Sequence, residues 1–125
     1  MRFMMITNAT KDAEAGKPPD PRMMEAVMKL TEELTKSGVL VSTGGLHPSS
    51  QGATIRLSGG KVTVTDGPFT EAKEIIGGYA IVDVKSKEEV VELARRCWQI
   101  TADIMGPSFE GGGTILRMWD ASDFA

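Results

Sequence analysis

A chain of 125 residues, 41% hydrophobic and 25% charged, is long enough for one domain with its own core and too short for two ordinary ones. Its formal net charge of −3 leaves no basic footprint, which argues against direct nucleic-acid binding and against electrostatic docking on an anionic membrane. A single cysteine, Cys97, excludes an internal disulfide and a cysteine-built metal cage.

No apolar run reaches the roughly 18 residues that cross a bilayer. Met1-Arg2-Phe3-Met4-Met5-Ile6 is too short for the apolar core of a signal peptide, and no small-residue cleavage site follows. The expected location is the cytoplasm, with residues 1–125 forming one domain.

The first strand is expected over residues 2–7. Phe3 and Met5 point one way and Met4 and Ile6 the other, and apolar side chains on both faces mark a central strand. Residues 8–19 are polar, end in Lys17-Pro18-Pro19, and read as a flexible loop. Asp20-Pro21 then opens a helix: Asp20 caps the free amides, and Pro21 fits the first helical position because its missing N–H loses no partner. Met23, Val27, Leu30 and Leu34 form its apolar stripe, widened by Met24 and Met28. Gly38 is placed to end it in a left-handed conformation.

Val39 to Thr43 is the second strand, followed by the loop Gly44 to Gly52. Ala53 to Ser58 and Lys61 to Thr65 pair as a hairpin through the two-residue turn Gly59-Gly60. The stretch Asp66-Gly67-Pro68-Phe69 turns the chain and sets down a bulky ring. Ile75 to Val84 is the longest strand candidate. Ser86-Lys87-Glu88-Glu89 is a capping box, and the helix it opens is expected to bury Val90, Leu93, Ala94, Cys97 and Trp98 at helical spacing. Arg95 and Arg96 are placed towards its C-terminus, where they complement the dipole. Thr114 to Trp119 is the last strand, and Asp120 to Ala125 a tail.

Without the hairpin, the order is β-α-β-β-α-β. The predicted class is therefore α+β: a ferredoxin-like antiparallel sheet with both helices on one face and a β-hairpin inserted between the second and third main strands. Alternation projects Tyr79, Ile81, Ile115 and Trp119 from the helix-free face. Leaving such a surface in water is unfavourable by about 25 cal/mol per Å², so a twofold homodimer packed sheet to sheet is expected, with a pocket between the sheet and its neighbouring loops.

Several stretches carry a family likeness. They are Phe3-Met4-Met5-Ile6, Gly38-Val39-Leu40-Val41, Gly44-Gly45-Leu46, the long run Val64 to Glu74 with its Asp-Gly-Pro-Phe core, and Ile76-Gly77-Gly78-Tyr79. In these residues the chain resembles the YCII-related, DGPF-domain proteins, small bacterial proteins of the dimeric α/β-barrel type. The resemblance covers nearly the whole chain. It implies a ferredoxin-like fold and homodimers. Some members are encoded beside, or fused to, extracytoplasmic-function sigma factors. In the simpler members a histidine and an aspartate are proposed as a catalytic pair. Asp66 stands at the aspartate of the DGPF motif.

His47 is the only histidine, so any imidazole chemistry must use it. With Asp66 accepting from one ring nitrogen, the other would be free to take a proton near neutral pH. The alternative is a surface histidine beside a turn aspartate bonded to backbone amides. Tyr79, Asp83, Arg117 and Trp119 are candidates to line a pocket on the open face, with Arg117 holding an anionic group through its paired donors. Equally, these four are a dimer interface in which Arg117 pairs with an acid. Phe69 is a candidate binding side chain or a packing anchor for its turn. Glu71, Lys73 and Glu74 are either acid–base groups or a solvated helical turn. Cys97 reads as a buried, inert thiol. The glycine clusters lack phosphate-loop spacing, and no metal or cofactor motif is found. Two functions stay open: a dimeric domain binding an unidentified small molecule with acid–base chemistry at Asp66 and His47, or a non-catalytic regulatory module tied to a sigma factor.

Overall fold

Alternating apolar residues place β1 (Arg2–Asn8) in the middle of a four-stranded sheet of order β2-β5-β1-β6, in which every neighbouring pair is antiparallel. The structure, a computed structural model, describes residues 1–70 and 75–124. The other strands of this sheet are β2 (Leu40–Gly45), β5 (Ile76–Asp83) and β6 (Gly113–Arg117). A second, two-stranded sheet is the predicted hairpin, β3 (Ala53–Ser58) with β4 (Lys61–Asp66). Gly59 and Gly60 both take positive φ, as the two-residue turn requires. The class is α+β.

Among the described residues, three α-helices complete the fold. Residues 8–19 were expected to be irregular, yet Lys11–Glu14 forms a single helical turn, α1, with the Thr10 hydroxyl oxygen accepting from Ala13 N at 3.1 Å. Helix α2 (Pro21–Lys36) starts where the sequence indicates, with Asp20 accepting from Arg22 N at 2.8 Å. Its face is shifted from expectation. Met23, Ala26, Leu30 and Leu34 turn inward, whereas Met24, Val27 and Met28 stay exposed. Helix α3 (Lys87–Met105) is capped by Ser86, whose hydroxyl accepts from Glu89 N. It runs well past Arg95 and Arg96, so these arginines lie mid-helix rather than at the terminus. Arg96 instead forks onto the Glu33 carboxylate of α2, with the second contact at 2.7 Å. The predicted tail contains a 3-10 turn at Ala121–Phe124. No helix among the described residues is long and apolar enough to cross a membrane.

Phe3, Val82, Val84 and Val90 form the buried core, with Met5, Val39, Leu40, Leu93 and Ile115 packed against it. Strand partners share a face. Phe3 opposes Val82, and Met5 opposes both Ala80 and Ile115, so these residues face the helices. This register corrects the expected place of Ile115 on the helix-free face and that of Arg117, which opposes Phe3 and shares its face; Trp119 lies beyond the end of the strand rather than on its open face. The other face carries Met4, Ile6, Tyr79, Ile81 and Leu116. Leu116, not Ile115, is the exposed aliphatic residue of the edge strand.

Candidate functional site

At the end of β4 the chain is bonded to the segment Ser49–Gly52, which Glu14 holds in turn. Gly67 N donates to the Gly52 carbonyl at 2.9 Å, and Phe69 N donates to Ser49 Oγ at 2.9 Å. The intervening Gly67–Pro68 peptide is cis. A Cβ on Gly67 would lie 1.7 Å from the Ser49 carbonyl oxygen, so only glycine permits this approach. Ser49 opens a 3-10 turn (Ser49–Gln51) and is buried, at 6% exposure. Its amide donates to both oxygens of the Glu14 carboxylate, at 3.0 and 3.2 Å, and its hydroxyl donates to Glu14 Oε1.

One buried serine thus accepts from the DGPF turn and donates to a carboxylate on α1. Buried polar groups need such partners, and bonds to an ionised acceptor are the stronger kind. Ala9 N donates to Ile75 O at 2.8 Å, and Leu46 N to Gly77 O at 3.0 Å. These bonds fix the junction at the end of the main sheet where β1 and β2 finish and β5 begins.

His47 lies on one of the two segments that this junction stitches together, and Asp66, the last residue of β4, leads into the other. His47 precedes Ser49 by two residues, and Asp66 directly precedes Gly67. Both are exposed. Among the described residues, no side-chain hydrogen bond or ion pair joins them or engages either one. Phe69, three residues after Asp66, is half-buried. Glu71, Lys73 and Glu74 lie outside the described residues.

The remaining candidates separate into two places. Tyr79 sits opposite Ile6 on β1 and Gly44 on β2. A Cβ on Gly44 would meet Tyr79 Cε1 at 3.0 Å, so the ring lies over that glycine, towards the DGPF end of the sheet. Asp83 is four residues further along β5, about 13 Å at strand rise. It opposes Arg2 and lies 3.4 Å from the terminal amine of Met1. Arg117 opposes Phe3 near that same end and pairs with Asp123 at 3.4 Å. Trp119 is exposed, with its ring centroid 5.3 Å from that of Phe124. Asp83, Arg117 and Trp119 therefore lie towards the far end of the sheet from Asp66, with Asp83 and Arg117 on opposite faces, so they do not form the single pocket expected. There, hydrogen bonds from the Ser122 side chain and backbone hold the Asp120 carboxyl below the ordinary carboxylate value.

Glu14 and Ser49 were not among the residues singled out in the sequence. Thr10 ahead of Lys11-Asp12-Ala13-Glu14 is a helix-start signal that would have found α1. Nothing local couples Glu14 to Ser49. Two shallow concavities are found among the described residues, neither lined by His47, Asp66 or Phe69. One runs along the outer face of α2 at Met24 and Met28. The other lies between α3 and β6, lined by Met5, Ala94, Trp98 and Ile115.

A model of the YCII-related domain matches residues 1–106. That span holds Glu14, His47, Ser49, the DGPF turn, Tyr79 and Asp83, and it leaves out β6 with Arg117 and Trp119. Over 80 residues the chain is 34% identical to an uncharacterised protein of Rhizobium meliloti (strain 1021). This match spans 64% of the present chain and 64% of that protein's length.

Proposed function

Because the chain belongs to the YCII-related domain family, we propose that it is a ferredoxin-like domain forming one half of a homodimeric α/β-barrel. On this reading it binds a small molecule beside the DGPF turn, in the cytoplasm. The strand order β2-β5-β1-β6 with antiparallel neighbours supports the ferredoxin-like assignment. The observation that carries the site is the stitching of the loop that bears His47 to the one that Asp66 leads into. Ser49 and Gly52 on one loop bond Phe69 and Gly67 on the other, which holds two exposed ionisable groups on one rigid junction. Rigid support for a polar pair is what acid–base chemistry requires. Asp66 would orient or share a proton with His47, and Phe69 and Tyr79 would supply apolar wall. A second copy would close the open side of this cleft.

The reading is tested with a panel of small carboxylate and carbonyl compounds, screened by ligand-observed NMR against the wild type. A compound that binds at the junction is expected to bind about tenfold more weakly to Asp66→Asn and to His47→Gln, the worth of one charge-assisted hydrogen bond. Equal binding of every compound to wild type and both variants would contradict it.

One observation favours a non-catalytic role instead. Met24, Val27 and Met28 form an exposed apolar stripe on α2, a surface suited to a protein partner. The sigma-factor association belongs to this second reading. Capture of a sigma-factor domain by wild type but not by Met28→Glu would support it.

A further inference from the structure

The hairpin β3–β4 has an unusual division of faces. Its register pairs Ile55 with Val64 and Leu57 with Val62, which puts these four aliphatic side chains on one face. The opposite face carries Thr54, Arg56, Ser58, Lys61, Thr63 and Thr65. In the single chain the apolar face is open, with Ile55 at 73%, Leu57 at 71%, Val62 at 66% and Val64 at 61% exposure. Among the described residues, the two strands pair with each other and with no third strand. A two-stranded hairpin standing alone is marginally stable in water, and a dense aliphatic face makes its exposure more costly.

We propose that this hairpin is an arm whose apolar face docks on the second copy of the chain, so that the partner subunit fixes the position of the DGPF turn at the arm's base. The inference rests on the homodimer reading above and names the segment that makes the dimer stable. Area favours a second copy as the occupant. Four strands about 4.8 Å apart and about 20 Å long give a sheet face of roughly 400 Å². That is about half of the roughly 800 Å² per partner that a stable interface buries. Each arm, two strands wide with six residues per strand, adds a face of about 200 Å² by the same spacing.

In a twofold dimer each subunit both gives an arm and receives one. Sheet face and arm together offer roughly 600 Å² per subunit, and a receiving surface outside the sheet face adds to this towards the roughly 800 Å² of a stable interface. Sheet and arm together therefore approach the requirement that the sheet alone falls well short of. Asp66 is the last residue of β4 and Gly67 bonds Gly52 at the foot of β3. An arm held by the partner consequently also holds the site's aspartate.

The test compares dimer dissociation constants of wild type, Leu57→Asp and Thr63→Asp. The first variant charges the apolar face and the second the polar face of the same arm. Leu57→Asp is expected to weaken the dimer at least about 100-fold, the loss of a buried aliphatic anchor, and Thr63→Asp less than about threefold, as for a solvated position. A dimer equally tight in all three proteins would overturn the arm's role while leaving the homodimer standing. A wild type that stays monomeric would overturn both. Hydrogen exchange of the wild-type hairpin amides across a dilution series decides the matter should Leu57→Asp fail to fold. Protection is expected to rise with the dimer population, and concentration-independent exchange would overturn the inference.

Discussion

Ser49 holds the candidate site through a few short contacts, and its substitution has a definite expected cost. Ser49→Ala removes the oxygen that accepts from Phe69 N and the hydroxyl that donates to Glu14. A buried donor left without a partner costs about 1–3 kcal/mol, so urea unfolding should show a loss of that size. Gly67→Ala is expected to cost more, above about 3 kcal/mol, because its Cβ would collide with a backbone carbonyl that cannot swing away. Wild-type stability in either variant would contradict the geometry. The Asp-Gly-Pro-Phe turn was legible because turn chemistry is local. The Glu14–Ser49 contact spans 35 residues and left no trace in either segment. His47 and Asp66 were legible as residue types, but the tie between their segments runs from Phe69 N to Ser49 Oγ and from Gly67 N to the Gly52 carbonyl, contacts between residues far apart in sequence.

At the scale of elements, the helix starts were written in the sequence and the helix faces less so. Asp20-Pro21 and Ser86 mark two N-termini through capping chemistry confined to one turn. Which side of α2 turns inward depends on what α3 offers it, and there Val27 proved exposed. Arg96 shows the same limit, since its partner Glu33 lies on another helix. Those hydrogen bonds hold the Glu33 carboxyl below its ordinary value of 4.5. The pair's stabilisation is therefore complete above the unfolded-state value and is lost as pH falls through the lower folded value. Thermal unfolding of wild type and Glu33→Gln should differ slightly near neutral pH, wild type being the more stable, and converge in acid. A difference that grows in acid would contradict the pairing. Cys97 on α3 is half-buried, and burial pushes its thiol above the ordinary value, with Arg96 opposing weakly. It should react slowly with a disulfide reagent near pH 7 in the folded protein and rapidly once unfolded.

Across the whole molecule, the apolar surface exceeds what one chain covers. Among the described residues, Phe3, Ile75, Val82, Val84 and Val90 are the buried apolar side chains, a small core for 125 residues. Met4, Ile6, Tyr79, Ile81 and Leu116 share the face without helices, and the hairpin adds a second uncovered surface. The alternation of β5 pointed to this face before the strand partners were known, since period-2 patterns are local. The choice between Ile115 and Leu116 was not legible, because β6 is an edge strand with apolar residues at consecutive positions. Ile81→Lys should leave secondary structure intact and shift the protein to monomer, as a charge cannot be buried between two sheets without a partner. The most direct measurement is sedimentation velocity of the unaltered chain at low micromolar concentration. A single species of twice the chain mass is expected, and a monomer that persists throughout that range would contradict the sheet-to-sheet dimer.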